Sequence, residues 1–210
     1  PTAMSDILGS EIESIEMYKN IFGVSGDIIP VTLDKVKLVA QYNDGSSVVG
    51  EHLIDEPSED KSITKISLDS KAFATNEALK VISEANYIVI GPGDIYTTIL
   101  PNILVGGISE ALQRSSGKIV YITNLMSKIG QTRGKKQSEI LKIIERYIGR
   151  KVDYVLVNDG NVPKSTYERY LKDGEDVIIE DLIESKRRRV VRADIVATGL
   201  VKKDKGDVLV

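Results

Sequence analysis

The sequence predicts an α/β domain in which a parallel sheet flanked by helices follows a small antiparallel β meander. Three observations carry that reading. Tyr87–Ile90, Ile119–Ile122 and Val152–Val157 are near-continuous apolar runs, as strands covered on both faces should be. Helical patterns separate these runs, and alternating strands and helices imply a parallel sheet with right-handed crossovers. Ahead of them, residues 27–70 carry short Ile/Val/Leu stretches with two-residue alternation, the period of half-buried strands.

In chain order, the first pattern is helical. Met4, Ile7, Leu8, Ile12, Ile15 and Tyr18 recur at spacings of three and four, leaving Asp6, Glu11, Glu13 and Lys19 mostly off that face. Residues 27–33 and 36–42 read as strands, the second alternating as Val36, Leu38, Ala40, Tyr42. Asn43-Asp44-Gly45 signals a turn, and Val48–Ile54 reads as the returning strand of a hairpin. An acidic loop at 55–62 precedes a strand at Ile63–Leu68, and Asn76 is placed to cap a short helix ending before Asn86. After the first apolar run a helix is expected at Ile108–Arg114. The helix at 136–148 is the cleanest: Ile140, Leu141, Ile144, Tyr147 and Ile148 form one stripe, with Gly149 as its stop. Beyond residue 160, Val177-Ile178-Ile179, Val190-Val191 and Ile195-Val196-Ala197 are short strand candidates. The basic run Lys186–Arg189 reads as a solvated loop, a phosphate-binding arm being the minority reading.

Composition narrows the function. The 210 residues hold 28 Lys+Arg against 31 Asp+Glu, a net charge of −3, which argues against a general nucleic-acid binder. Zero Cys excludes disulfides, thiolate metal sites and cysteine nucleophiles within these residues. The single histidine, His52, excludes multi-histidine metal sites and reads as structural. No apolar run approaches the ~18–20 residues of a membrane span, and the chain opens on polar and acidic residues, so a cytoplasmic protein is expected.

Ligands of open parallel sheets bind beyond the carboxyl ends of the strands. There this chain places Gly91-Pro92-Gly93-Asp94, Thr123-Asn124 and Asn158-Asp159-Gly160-Asn161. Glycines let a backbone approach a ligand closely, and a helix starting just afterwards would aim N–H groups at an anion. Tyr96, Thr97 and Thr98 add side-chain donors. Asp94 would repel a phosphate, and as a helix N-cap it would need no ligand. A ligand loop and a tight capped turn both stay open on the residues alone. Asn124-Leu125-Met126 and Gly130-Gln131-Thr132 bring neutral amides and hydroxyls suited to a sugar or base, or simply to capping. The acids at 51–60 (Glu51, Asp55, Glu56, Glu59, Asp60) read as a solvated loop, and no carboxylate pair stands out for acid/base work.

The string Gly-Pro-Gly-Asp-Ile-Tyr-Thr-Thr-Ile-Leu-Pro-Asn at 91–102 resembles the signature of the bacterial gluconeogenesis-factor (YvcK-like) family. That family is homologous to the 2-phospho-L-lactate transferases of deazaflavin-coenzyme synthesis. Ile29-Pro30-Val31-Thr32, Gly50-Glu51, Asn124-Leu125-Met126 and Gly130-Gln131-Thr132 match in the same order, and the resemblance weakens after about residue 160. It implies a Rossmann-like sheet and a nucleotide or nucleotide-sugar ligand, notably a uridine diphosphate sugar, with a role in carbon metabolism and cell-envelope or cell-shape control. The alternative it implies is a transferase moving a phospho-acyl group from a nucleoside donor. The ligand contacts it implies are Gly91, Pro92, Gly93, Asp94, Tyr96, Thr97, Asn102 and Asn124, with Asp94 standing where the family usually has Ser. No catalytic residue and no metal ligand is assigned. The Gly-Gly-Gly-Thr-Gly loop that opens the family pattern is not in this sequence. A single domain over residues 1–210, cut off from an upstream phosphate-loop segment that would also carry any Mg2+, is therefore expected; self-association stays open.

Overall fold

A computed structural model of the chain describes residues 2–57, 61–196, 200–203 and 206–209. The first helical stretch is two helices, α1 (Thr2–Leu8) and α2 (Glu11–Ile21). The break falls at Gly9-Ser10, where the Ser10 hydroxyl accepts from the Glu13 amide at 3.3 Å. The stripe is only partly covered: Met4, Leu8, Ile15 and Tyr18 are half-buried, Ile7 and Ile12 are exposed, and the buried residue of α2 is Ser14.

The meander forms with corrections at both ends of its hairpin. Residues 27–33 are not a strand; the first strand is β1 (Leu38–Tyr42), with Leu38, Ala40 and Tyr42 buried as their alternation requires. After the turn at Asn43–Gly45, β2 (Ser47–Val49) ends at Gly50, whose φ of 111° is closed to most side chains. The chain then winds into α3 (Glu51–Asp55) instead of continuing as a strand to Ile54, so His52 sits exposed on a helix. Ile54 is nevertheless fully buried, which is why a strand and a short helix look alike here in sequence. β3 (Ile63–Leu68) pairs with β1, giving the antiparallel order β2-β1-β3. Two acids of the expected loop, Glu59 and Asp60, lie outside the described residues.

The second unit follows the βαβ rhythm. α4 (Asn76–Glu84) is capped by Thr75, whose hydroxyl accepts from the Ala78 amide at 3.2 Å; Asn76 is the first helical residue rather than the cap. β4 (Tyr87–Ile90) leads through the Gly-Pro-Gly turn into one π turn (Ile95–Ile99), then α5 (Leu100–Leu104) and α6 (Ile108–Arg114). β5 (Lys118–Ile122), α7 (Gln137–Ile148) and β6 (Tyr154–Asn158) follow. Gly149 stops α7 in the left-handed region at φ 79°. α8 (Lys164–Lys172), not foreseen from the sequence, precedes β7 (Arg189–Ala193). The four strands are parallel in the order β4-β5-β6-β7. Val177 makes only an isolated bridge to Met126, and Ile195 and Val196 are not in a strand; Ala197 lies outside the described residues. β8 (Leu200–Lys203) and β9 (Gly206–Leu209) form a separate antiparallel pair.

α7 joins the two units. Ile140, Ile144 and Ile148 are fully buried, each contributing about 1.5–3 kcal/mol by leaving water. On the same helix the Tyr147 hydroxyl accepts from the Ile66 amide of β3 at 3.1 Å. No helix among the described residues is long and apolar enough to cross a membrane.

The basic run is not simply solvated. Arg188 pairs with the buried Glu145 of α7, which also accepts from Lys151 Nζ at 2.7 Å and the Val152 amide at 3.1 Å. Removing Glu145 leaves Arg188 partly buried without its carboxylate. Glu145→Ala should cost about 3 kcal/mol, read as a lower urea midpoint at unchanged slope. Lys151→Ala, whose side chain is mostly exposed, should cost less than about 1 kcal/mol.

Candidate functional site

β4, β5 and β6 end side by side because they are parallel and paired in register. Their turns therefore meet at one edge. Gly91–Asp94 leaves β4, Thr123–Lys128 leaves β5, and Asn158–Asn161 leaves β6. The first two are stitched together by Asn124. Its Oδ1 accepts from the Gly93 amide at 3.0 Å and its Nδ2 donates to the Gly93 carbonyl at 2.9 Å. The Asn124 carbonyl in turn accepts from Gln137 Nε2 at 2.7 Å, tying the pair to the start of α7. The fit at Gly93 is close, since a Cβ there would sit 3.1 Å from Thr98 Cγ2 and push that side chain aside.

A charge bridge backs this seam. Lys128 Nζ lies 2.6 Å from Asp55 Oδ1 and 2.6 Å from Asp94 Oδ2. Asp55 Oδ1 also accepts from the Thr97 hydroxyl at 3.0 Å and from Gln131 Nε2 at 3.0 Å. Gln131 Oε1 accepts from the Tyr96 amide at 3.1 Å. One lysine thus joins α3 of the meander unit to both strand-end turns. Burial works against the ionised forms, but the hydrogen bonds and attraction of Lys128 hold the Asp55 carboxyl below its ordinary range. Burial likewise opposes the Lys128 ammonium, and the two carboxylates outweigh it, raising its pKa above the ordinary lysine value. Glu175 sits nearby; burial, with repulsion from Asp94, Asp173 and Asp55, raises its pKa against the pull of Lys128. A hollow of about 340 Å³ lies between the two turns, bounded by Pro92, Gly93, Asp94, Asn124, Lys128, Tyr170 and Glu175 among others.

The structure distributes the expected contact residues unevenly. Pro92, Gly93, Asp94 and Asn124 line this hollow. Gly91 and Asn102 line an apolar groove on the other side of the turn, and Asn102 Nδ2 donates to the Thr98 carbonyl at 2.8 Å. Tyr96 is buried with its hydroxyl toward the Ile63 carbonyl at 3.4 Å, and buried Thr97 holds Asp55. The helix expected to aim its amides at a ligand begins as a π turn. Its Thr98 and Ile99 amides both donate to the Asp94 carbonyl, at 2.8 and 3.0 Å. Sequence reasoning missed Lys128, Asp55 and Glu175; the signal for Lys128 was only its place beside Asn124-Leu125-Met126, after a buried strand. Thr132 Oγ1 accepts from the Lys128 amide at 2.9 Å, so the Gly130-Gln131-Thr132 segment orders the bridge rather than starting a helix.

A divalent metal does not fit between Asp55 and Asp94, because the Lys128 ammonium already stands between their oxygens. Among the described residues no group of three or more His, Asp or Glu side chains could hold a metal ion.

The bridge has a pH signature. Asp55 lies below its ordinary 3.8, so its contribution is present above that value and lost as pH falls through the lowered one. Lys128 lies above 10.5, so its contribution is present below 10.5 and lost as pH rises through the raised value. Glu175 runs the other way, its contribution fading as pH rises above 4.5. Lys128→Met should cost about 1–2 kcal/mol at neutral pH, less than a fully buried pair because each partner is a quarter to a third exposed. Urea titrations across pH should show the difference between Lys128→Met and the parent shrinking below pH 3.8 and above pH 10.5. A difference constant over the whole range would contradict the bridge.

Comparison with known proteins agrees with this architecture. The family model described as 2-phospho-L-lactate transferase CofD matches residues 2–196. A Thermotoga maritima protein provisionally named a gluconeogenesis factor is 37% identical over 176 residues, 84% of this chain and 55% of that protein. The gluconeogenesis factor of Listeria innocua is 35% identical over 167 residues, 78% of this chain and 51% of its own. A solved UPF0052-family protein of Bacillus halodurans superimposes with a TM-score of 0.87 at 31% identity, covering 99% of this chain and 65% of that one. The chain thus spans about half to two thirds of the length of these relatives. With the family model matched from α1 to the end of β7 and gluconeogenesis factors among its relatives, this chain belongs to the CofD, or gluconeogenesis-factor-like, family.

Proposed function

We propose that this chain forms the larger part of a cytoplasmic nucleotide-sugar-binding protein of the gluconeogenesis-factor type, acting in carbon metabolism and cell-envelope control. The observation that carries the reading is the seam at the carboxyl ends of β4 and β5. There Asn124 fixes the Gly91–Asp94 backbone beside a polar hollow, as a ligand with many donors and acceptors requires. Pro92, Gly93, Asp94 and Asn124 are the contacts we favour at the surface of this seam, with Gly91 on the groove side of the same turn. Tyr96, Thr97 and Asn102 support it from behind through their internal hydrogen bonds. A uridine diphosphate sugar is the ligand class we assign. We further propose that the 210 residues are one domain of a longer protein whose remaining segment carries the phosphate loop and any Mg2+.

The family model's own description favours a second reading, a transferase of the 2-phospho-L-lactate type, in which these residues would position a nucleoside donor. At the seam Asp55 and Asp94 are both held by one lysine, which leaves Glu175 as the carboxyl of the hollow outside that bridge. Binding without turnover is therefore the reading we place first.

A panel of uridine diphosphate sugars, guanosine phosphates and inorganic phosphate, read by thermal shift on the longer natural protein, tests this directly. Ligand at 100 times its Kd should add about 2.7 kcal/mol and raise the Tm clearly, while the 210-residue chain alone should shift little. Asn124→Ala removes two hydrogen bonds to Gly93 and should lower stability by about 2 kcal/mol while weakening the ligand-induced shift. No shift with any nucleotide sugar would remove the reading. A shift with guanosine phosphates alone would favour the transferase.

A further inference from the structure

We infer that Glu175 is a specificity-determining residue of the hollow, one that receives adjacent hydroxyls of an uncharged sugar and turns away a sugar bearing a carboxylate. This selection rests on the proposed nucleotide-sugar reading of the same edge and adds to it which sugars are admitted.

Glu175 is held in place by its backbone neighbours and not by its own side chain. Its amide donates to the Tyr170 carbonyl at 2.9 Å, just past the end of α8. The next residue is locked to the segment after β5: the Asp176 amide donates to Ser127 Oγ at 3.0 Å, and its carbonyl accepts from the Ser127 amide at 2.7 Å. The Ile178 amide donates to the Leu125 carbonyl at 2.9 Å. This clamp sets Glu175 on the wall of the hollow with Asp94, Asn124 and Tyr170. The half-buried Glu175 carboxyl itself makes no hydrogen bond and no ion pair among the described residues.

Such a placement weakens the free protein. Asp94, Asp173 and Asp55 repel Glu175, the Tyr170 phenol offers it no charge, and the one attracting group is Lys128. That ammonium is already held at 2.6 Å by both Asp55 and Asp94. Burial and repulsion therefore push the Glu175 carboxyl above its ordinary range. A rigidly placed carboxyl without a donor, among like charges, is the kind of local conflict that binding sites retain.

The partner this carboxyl lacks must bring hydrogen-bond donors and no negative charge. A metal ion does not meet the need, because among the described residues no group of three or more His, Asp or Glu side chains could hold one. Adjacent hydroxyls of a sugar ring do: each donates one hydrogen, and the two oxygens of a carboxylate accept them side by side. Pro92, Leu125 and Met126 line the same hollow and offer apolar surface to the C–H bonds of that ring. A sugar acid would set its carboxylate against Asp94 and Glu175, where the lysine is already claimed. Repulsion felt only by the wrong ligand is an effective means of rejecting it.

The test compares uridine diphosphate glucose with uridine diphosphate glucuronate on the longer natural protein by titration calorimetry. The two differ at one carbon, a hydroxymethyl in the first and a carboxylate in the second. The parent should bind the glucose form at least about tenfold more tightly. Glu175→Gln keeps the shape and removes the charge, and should bring the two affinities to within about threefold of each other. Without ligand, Glu175→Gln should show a higher urea midpoint than the parent at neutral pH, an advantage that disappears below pH 4.5. A parent that binds both sugars alike, or a preference that Glu175→Gln leaves unchanged, would overturn the inference while the nucleotide-sugar reading stands. A lower urea midpoint for ligand-free Glu175→Gln would make the residue a structural one and overturn it as well. Binding of neither sugar would remove the reading and the selection together.

Discussion

The arrangement of the proposed ligand face depends on one ammonium group held between two carboxylates. Asp55, Asp94 and Lys128 come from three segments far apart in the chain, and the bridge forms only when the meander unit and the βαβ unit are assembled. Lys128 then offsets the repulsion that Asp55 and Asp94 would otherwise exert across a half-buried space. Because Asp55 also receives Thr97 and Gln131, the same group fixes the first turn after β4 and the segment after β5. The position of the Gly91–Asp94 backbone is thus an electrostatic consequence of α3, an element of the other unit.

Rigidity at the seam has a chemical consequence. Most polar groups of the 91–102 motif are already used inside the protein: the Tyr96 amide on Gln131, the Thr97 hydroxyl on Asp55, the Asn102 amide on the Thr98 carbonyl. What remains at the surface of the hollow is largely backbone, the second oxygen of Asp94 and the Glu175 carboxyl. Acceptors outnumber cations there, which suits hydroxyl-bearing parts of a ligand better than its phosphates. A phosphate group would have to find its partners outside this hollow, in line with the proposed phosphate loop.

How much of this was legible in sequence depended on the range of the interactions. Local period sufficed for β1, β3 and the strands of the parallel sheet, and for α7, whose stripe and terminal Gly149 are unambiguous. It failed where a short apolar segment fits two periods. Val48–Ile54 alternates acceptably as a strand, but Gly50 turns the chain and leaves Ile54 to be buried from a helix. Residues 27–33 are apolar enough for a strand yet pair with no strand among the described residues, the Pro30 and Val31 carbonyls accepting instead from Thr75 at the start of α4. That the turns after β4 and β5 share one edge of the sheet follows from topology alone. The Lys128 bridge and the pairing of Arg188 with Glu145 were not visible, because each joins residues more than thirty positions apart with no local pattern to announce them.

That Lys128 and Asp55 are energetically joined, and so fix the proposed ligand face, is tested most directly by a double-mutant cycle. Asp55→Asn, Lys128→Gln and the double variant would be compared with the parent by urea denaturation at neutral pH. The bridge predicts a coupling of about 1 kcal/mol or more, the double variant losing less than the two single losses combined. Additivity to within about 0.3 kcal/mol would mean that the two groups do not depend on each other, and the account would fail.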